Sequence, residues 1–274
     1  MLNDFQNLNF QMWQMFDRIC KENNIKYFFA YGSAIGAIRE NGFIPWDDDI
    51  DIMILRSEYN KLRQILKGKL DSRYKLVEPV DYDPYFYDAL SRLIDLNIPL
   101  RKENEHDKIY HNYNNKMSID IFVLDNAPNS KFFQHIMKFK LRLLYCMARS
   151  KRYNSSQLTG SLHYNKIKKL LVDVCYLLGK PFSKKWLLTR FERCLRKYEN
   201  TETNNVITGC APSMYIGFFE KSLFDKTVFF PFQGSLAPIP VGYDSILKQI
   251  YGNYMQPVND KTKHKEHVDD LWRE

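Results

Sequence analysis

A chain of 274 residues with 45% hydrophobic and 26% charged residues is long enough for one large domain or two small ones, and its composition is that of a soluble globular protein. It carries a net charge of +8 but no apolar run of the roughly 18 residues that span a bilayer, and its start lacks the basic and apolar regions of a secretory signal, so we expect a cytoplasmic protein. Five widely spaced cysteines without a Cys-x-x-Cys pair argue against a disulfide framework or a zinc site.

The first half of the chain has the patterns of a mixed α/β domain. Apolar residues recur at helical spacing in some segments, and alternate or run together as in strands in others. In chain order these patterns predict a helix, a strand, a short helix, a strand, a helix and three further strands, over residues 8–22, 25–31, 34–40, 49–55, 57–70, 74–80, 89–96 and 117–124. Ser57 is the expected N-cap of its helix.

The second half begins with a basic helical segment. Helices are predicted from residue 131 onward, over 165–178 and over 184–198, before a strand over 227–231 and a helix over 243–251. Residues 131–197 contain 17 Lys and Arg against two acidic residues, a net charge of +15, and the rest of the chain must therefore carry −7. These charges fit helices that keep basic side chains in water, and equally a surface for an anionic glycopolymer, nucleotide phosphates or an anionic membrane face.

Carboxylates crowd two of the predicted strands. Asp49 and Asp51 point to the same face because side chains alternate along a strand, and they can bracket a hard divalent cation that relieves their repulsion. If the strand that carries Asp120 is a neighbour, Asp120 completes a three-carboxylate site or accepts the proton of an attacking hydroxyl. We predict that these three residues are catalytic, and that Asp47 and Asp48 adjust the loop or bind the acceptor.

Candidate phosphate ligands come before and after the acidic strand. Gly32-Ser33 follows a strand and starts a helix, where backbone N–H groups bind phosphate and glycine permits close approach. Arg39 and Arg92 are further candidates, because a guanidinium can bind phosphate oxygens through two hydrogen bonds. A Gly-Ser pair by itself more often marks a turn, but the order of strand, Gly-Ser, helix, loop and Asp-x-Asp strand is specific.

The segment 31–54, YGSAIGAIRENGFIPWDDDIDIMI, resembles a known family. Its Gly32-Ser33 followed by Asp49-Ile50-Asp51 is similar to the pattern of the nucleotidyltransferase superfamily. The whole run resembles the LicD family of phosphotransferases, whose motif it matches from the Gly-Ser pair through Gly-Phe-Ile-Pro-Trp-Asp-Asp-Asp to the last Asp.

Two further segments agree with this resemblance. Residues 120–125 resemble the family's third acidic strand, and residues 251–257 resemble its Tyr-Gly-Asp-Tyr-Met segment, with Asn in place of the usual Asp. The resemblance implies an α/β (α+β) nucleotidyltransferase fold, with a mixed β-sheet core flanked by helices and a basic helical insertion or subdomain. We expect a catalytic core over 1–128, a basic helical segment that could bind the acceptor over 129–205, and a C-terminal part over 206–274 that completes the domain.

The resemblance also implies an activity, the transfer of phosphocholine from CDP-choline, or of another phospho-alcohol from its CDP-alcohol, to a hydroxyl of a bacterial surface glycan. Teichoic acid, lipopolysaccharide and capsule are acceptors of this kind. The hydroxyl would attack the β-phosphate and CMP would leave. Asp49 and Asp51 would then hold Mg²⁺ (or Mn²⁺), Asp120 would hold a second ion or act as base, and Ser33 and Arg39 would hold the donor phosphates.

A choline group would need an aromatic or acidic enclosure for its quaternary ammonium. The candidates are Trp46 and the segment DYDPYFYD at residues 81–88, which could instead be a packed loop or a rim loop. The aromatic residues of that segment are Tyr82, Tyr85, Phe86 and Tyr87. His264 and His267 fall where the family often carries basic residues and histidine, so His267 is a further candidate for substrate binding.

Two other functions remain open from the sequence. A nucleotidyltransferase that moves a nucleoside monophosphate from an NTP to a small molecule would need the same superfamily residues. A non-catalytic protein could use the basic helices to hold an anionic polymer or nucleic acid, although clustered carboxylates do not help such a binder. We expect a lipid-linked glycan acceptor, which would bring the protein to the inner face of the membrane, and no specific nucleic acid.

Overall fold

The computed structural model describes residues 4–83, 87–150, 166–209 and 217–257. Helices α1 to α8 of this part of the chain span Asp4–Glu22, Tyr31–Ile35, Arg56–Lys69, Glu105–Ile109, Lys131–Ser150, Lys166–Gly179, Lys184–Leu195 and Tyr243–Tyr251. Strands β1 to β9 span Phe28–Phe29, Ile50–Leu55, Tyr74–Val77, Ser91–Pro99, Lys116–Ala127, Asn205–Thr208, Gly217–Glu220, Thr227–Phe232 and Ser235–Pro240.

Seven of these strands form one mixed sheet. Its main order is β1-β2-β5-β4-β3, and β6 and β7 extend it from the far end of β5. Only the pair β2 and β5 is parallel among the described strands, and the other pairs of this sheet are antiparallel. Strands β8 and β9 form a separate hairpin. The predicted mixed α/β fold is therefore confirmed.

The two faces of the central strands have different chemistry. Ile50, Ile52 and Ile54 of β2 are fully buried in the core that α1 and α3 also line. Because side chains alternate, the residues between them point to the opposite face, where Asp51 and Met53 of β2 lie. Helices α1 and α3 thus cover one face. On the other face Met53 and its partner Phe122 belong to a second apolar cluster, and Asp51 and Asp120 are the polar residues before them on the same two strands.

The hairpin of β8 and β9 packs beside the start of the sheet. Phe232 at the end of β8 contacts Phe29 of β1 and Trp13 of α1, with ring centroids 5.0 and 5.6 Å apart. Phe232 itself is fully buried. This aromatic cluster fixes β1, and with it the helical segment that follows β1, against the rest of the core.

Three predicted boundaries were wrong for local reasons. The segment after β1 becomes helical at Tyr31, which has a φ of 45°, and continues as a π-helical turn over Gly36–Glu40. Helix α3 begins at Arg56 without a side-chain cap, so Ser57 is not its N-cap. The third strand ends at Val77 because Pro79 begins a short 3-10 helix.

The basic segment forms helices α5, α6 and α7, with a core of their own between α5 and α7. Leu141 and Tyr145 of α5 are buried against Leu187 and Phe191 of α7. The chain then returns to the main sheet, where β6 pairs with β5. The division into three parts stays a prediction.

Candidate active site

Asp51, Asp120 and Arg92 form a row across three adjacent strands. Asp51 of β2 is the direct partner of Asp120 on the parallel strand β5, and Asp120 is the direct partner of Arg92 on the antiparallel strand β4. Directly paired residues point to the same face of a sheet, with strands about 4.8 Å apart. The strands that carry the two carboxylates are therefore neighbours, as a shared site requires.

Arg92 and Asp120 are held together within this row. The Nε atom of Arg92 donates to Asp120 Oδ1 at 3.0 Å, and Ser118 Oγ donates to the same oxygen at 2.9 Å. Arg92 also lies 3.7 Å from Asp88 and over the ring of Tyr87. Its Nη1 atom is buried and makes no hydrogen bond to any described residue. This part of the guanidinium is shielded from solvent. Burial raises the pKa of the Tyr82 hydroxyl, and the charge of Arg92 acts on that hydroxyl in the opposite direction.

The environment of Asp51 opposes its negative charge. Burial raises the pKa of Asp51 well above its ordinary value, and the charges of Asp49, Asp120 and Asp47 raise it further, while Arg92 acts in the opposite direction. In this environment the ionised form of the carboxyl group is favoured only when positive charge is added nearby. A divalent cation supplies such charge, so the electrostatics of Asp51 fit a metal ligand.

The carboxylates of this site fit a cation that is also bound by the substrate. No three His, Cys, Asp or Glu side chains within the described ranges are arranged to hold a metal ion by themselves. Asp120 already accepts two hydrogen bonds on one oxygen. Mg²⁺ binds through one or two carboxylates when substrate phosphates supply further oxygens. Asp49 and Asp51 therefore fit a cation that arrives together with a phosphate substrate.

Gly32 and Ser33 hold the acidic segment in place. The buried hydroxyl of Ser33 accepts a hydrogen bond from the Asp51 N–H at 2.9 Å. A Cβ atom on Gly32 would overlap the carboxylate of Asp47, so glycine allows that side chain to lie against the backbone. Tyr31, immediately before them, has the left-handed backbone that bulky residues rarely adopt, which is typical of functional sites. A phosphate-binding role of the pair stays a prediction.

Two side-chain amides of α1, which sequence reasoning missed, donate hydrogen bonds to the backbone of the loop that carries Asp47 and Asp48. Gln6 Nε2 donates to the carbonyl oxygen of Asp47 at 2.8 Å, and Asn9 Nδ2 donates to that of Asp48. Asn9 is buried on the apolar face of α1, four residues after Phe5. A polar residue that interrupts an apolar helical stripe is the signal that could have identified it, because buried amides need hydrogen-bond partners.

A cleft of about 110 Å³ opens beside the charged row. Asp48, Asp49, Tyr87, Arg92 and Asp120 line it, which brings five of the predicted residues together. The sequence did not indicate the other lining residues, among them Tyr113, Asn114 and Lys116. A nucleotide is larger than this volume, so it would extend beyond the cleft.

A larger cavity of about 540 Å³ lies elsewhere, between α3 and α7. Ser91 and Ile121 line it, and each is the chain neighbour of a residue of the charged row. Side chains alternate along a strand, so this cavity is on the opposite face of the sheet. We therefore place the chemistry in the smaller cleft.

Arg39, Trp46 and Tyr82, which were also predicted, do not line the cleft. Arg39 donates to Glu40 and to the carbonyl oxygen of Tyr254, so it connects the π-helical turn to the C-terminal segment. Trp46 is partly buried and packs against the main core. Tyr82 is fully buried among other tyrosines and cannot enclose a ligand. Tyr85, Phe86, His264 and His267 lie outside the described residues.

Comparison with known proteins finds a family match over the part of the chain that contains the charged row. Residues 24–145 match the LicD/FKTN/FKRP nucleotidyltransferase domain, a range that includes all three residues of the charged row. The lipopolysaccharide cholinephosphotransferase LicD of Haemophilus influenzae is 25% identical over 266 residues, which cover 94% of this chain and 92% of that protein.

Two rickettsial proteins of uncharacterized function are also similar over a shorter range. The proteins of Rickettsia prowazekii and Rickettsia typhi are 29% and 27% identical over 126 residues, or 46% of this chain. The matched range covers 42% and 35% of their own lengths, respectively. The Gly-Ser pair, the Asp-x-Asp strand and the adjacent Asp120 all lie within the matched range 24–145, so this part of the chain resembles the nucleotidyltransferase domain of the LicD family.

Proposed function

We propose that the protein transfers a phospho-alcohol, with phosphocholine as the first candidate, from a CDP-alcohol to a hydroxyl of a bacterial surface glycan. The charged row of Asp51, Asp120 and Arg92 carries this proposal, because it combines two carboxylates that can bind a cation with a guanidinium that can bind phosphate. The name of the Haemophilus relative, which aligns along nearly its whole length, supports choline phosphate and lipopolysaccharide as the chemical classes. Teichoic acid and capsule are acceptors of the same hydroxyl chemistry.

Each residue of the charged row would have a separate role in an in-line displacement. Asp120 would accept the proton of the attacking sugar hydroxyl, whose oxygen forms the new bond to the β-phosphorus as the bond to the CMP oxygen breaks. Arg92 would bind a phosphate oxygen and keep the phosphorus in line with that hydroxyl. Asp49 and Asp51 would hold Mg²⁺ or Mn²⁺, which when bound neutralises charge on the departing CMP.

The aromatic part of the cleft is our candidate for the alcohol site. Tyr87 and Tyr113 line the cleft together with Asp48 and Asp49. Aromatic rings beside carboxylates suit a quaternary ammonium.

The location of the reaction follows from the acceptor. Among the helices of the described ranges, none is long and apolar enough to cross a bilayer. A lipid-linked glycan precursor would bring the protein to the cytoplasmic face of the membrane as a peripheral enzyme.

The reaction class can be tested by product release. With Mg²⁺ and CDP-choline, CDP-ethanolamine, CDP-glycerol or CDP-ribitol, we expect one donor to release CMP in the presence of a glycan acceptor. EDTA should abolish the release, and Asp49→Asn should lower it by about 10²-fold or more, because one charged ligand is lost. Asp71→Asn, at an exposed carboxylate outside the cleft, should leave it unchanged.

Other products would assign other functions. Pyrophosphate from an NTP, with no CMP from any CDP-alcohol, would overturn the proposal in favour of nucleotidyl transfer. Salt-dependent binding of an anionic polymer without any metal-dependent turnover would instead indicate a binding protein.

The alcohol site has a test of its own once CDP-choline is active. Replacing Tyr87 and Tyr113 together by Leu should raise the KM for CDP-choline about tenfold, because two aromatic faces are lost. The matched variant with Phe at both positions keeps the rings and should retain the KM within about twofold. Equal KM values for all three proteins would remove these rings from the alcohol site.

A further inference from the structure

Helix α6 presents an apolar face to solvent. Its exposed residues are Leu170, Leu171, Val174, Leu177 and Leu178, each with 42% to 66% of its surface accessible. Their spacing is that of one side of a helix. Helix α6 meets α5 with a different side, where Cys175 lies beside Cys146 and Gly179 packs closely against Met147. The leucine face is therefore uncovered by α5.

Helices α5 and α7 add exposed aromatic residues. Phe132, Phe133 and Phe139 of α5 are 68%, 52% and 68% exposed, respectively. Trp186 of α7 stacks on Phe182 and has the guanidinium of Arg190 over its ring. A groove of about 440 Å³ runs between the two helices, with Lys140, Arg193 and Lys197 along it. Apolar surface and cationic side chains are thus interleaved.

The charge of these helices is almost entirely of one sign. Residues 131–197 contain only two acidic residues, and one of them, Glu192, forms an ion pair with Arg56 at 3.1 Å. Among the described side chains, Lys184 is buried and pairs with Asp83, but most of the basic residues are exposed, namely Lys131, Lys140, Arg142, Lys180, Lys185, Arg190, Arg193, Arg196 and Lys197. The complementary partner must be anionic and must also accept leucine and phenylalanine side chains.

We propose that helices α5, α6 and α7 form a docking surface for an anionic lipid bilayer. Helices that lie in a membrane interface combine an apolar face with Lys and Arg, and anionic headgroups attract the basic side chains. No described helix can cross the bilayer, so the contact is with its surface. Nucleic acid would match the charge but not the leucine face, and a second copy in the same orientation would oppose positive charge to positive charge.

This inference does not depend on the proposed transfer reaction. It rests on exposure and charge in helices that lie outside the cleft, and its measurement needs no substrate. It gives the basic segment a role that the charged row does not explain.

The full-length protein should be mixed with sonicated vesicles and sedimented. We expect binding to vesicles of phosphatidylcholine with 30% phosphatidylglycerol, weakening as salt rises, and at least tenfold weaker binding to pure phosphatidylcholine. Leu171→Asp with Leu177→Asp should weaken binding to the anionic vesicles at least tenfold, with an unchanged Tm because both side chains are exposed. The control Leu236→Asp, at a 56% exposed leucine of the β8–β9 hairpin, should bind as the wild type does.

Three results would overturn the proposal. The first is absence of the wild-type protein from the vesicle pellet. The second is equal binding of the α6 double variant and the wild type. The third is a wild-type dimer in light scattering that the α6 double variant abolishes, since the leucine face would then be an interface between copies of the chain.

Discussion

Asp51→Asn is expected to reduce CMP release by about 10³-fold while raising the thermal stability of the metal-free protein. The loss of activity follows from removing the carboxylate at the centre of the charged row, where electrostatic stabilisation of the displacement is concentrated. The gain in stability follows from the raised pKa of Asp51, because burial and three like charges make its ionised form unfavourable in the folded state. Each kcal/mol relieved should raise Tm by about 2 to 4 °C.

Divalent cations should reverse the order of stabilities. Mg²⁺ with a CDP-alcohol binds the wild type and offsets the repulsion, so the Tm of the wild type should approach or exceed that of Asp51→Asn. Differential scanning fluorimetry with and without EDTA measures both differences, and Asp71→Asn serves as the matched control. A variant that keeps more than a tenth of the activity, or that is less stable than the wild type in EDTA, would contradict this role of Asp51.

Gly36→Ala should damage the site without removing any functional group. A Cβ atom at Gly36 would overlap the Gly42 carbonyl oxygen and lie 3.2 Å from the Ile44 nitrogen. Both are backbone atoms, which cannot rotate away, so the segment that leads to Asp47 must shift. We expect a loss of about 1 to 3 kcal/mol of unfolding free energy, and about 10²-fold in activity because displacements near 1 Å misalign reacting groups.

Gly68→Ala is the matched control for this change. Gly68 lies in α3 and has no atom within 4 Å of the position a Cβ atom would take. Alanine favours the helix more than glycine, so this variant should gain up to about 1 kcal/mol and keep full activity. Urea unfolding of both variants measures the change in stability, and CMP release measures the change in activity. Equal behaviour of the two glycine variants would show that the close approach at Gly36 has no consequence.

The parts of the site that depend on local pattern could be predicted. The alternation of carboxylate and apolar residues predicted the strand β2 and its two faces. The boundaries of α8 at Tyr243 and Tyr251 also agree with the structure, because Gly252 follows the last apolar turn. Spacing and turn residues suffice for features of this kind.

The parts that depend on pairing could not be predicted from local pattern. Asp120 lies directly opposite Asp51 because of the register between β2 and β5, and these two residues are 69 positions apart in sequence. That Arg92 bonds to Asp120, instead of serving only as a phosphate ligand, follows from the antiparallel register of β4. The prediction that Tyr82 helps to enclose a ligand was wrong. Aromatic side chains also pack well in a core, and the sequence does not show which of them are exposed to solvent.

The in-register pairing of Asp51 with Asp120 also limits how such a protein can change over generations. Inserting or deleting one residue within β2 would exchange its two faces, so that Asp51 would meet the isoleucine core and Ile50 or Ile52 would take its place opposite Asp120. Insertions in the loops before and after the strand have no such effect. Novel substrate ranges should therefore arise by remodelling loops, whereas the three charged positions must be inherited together.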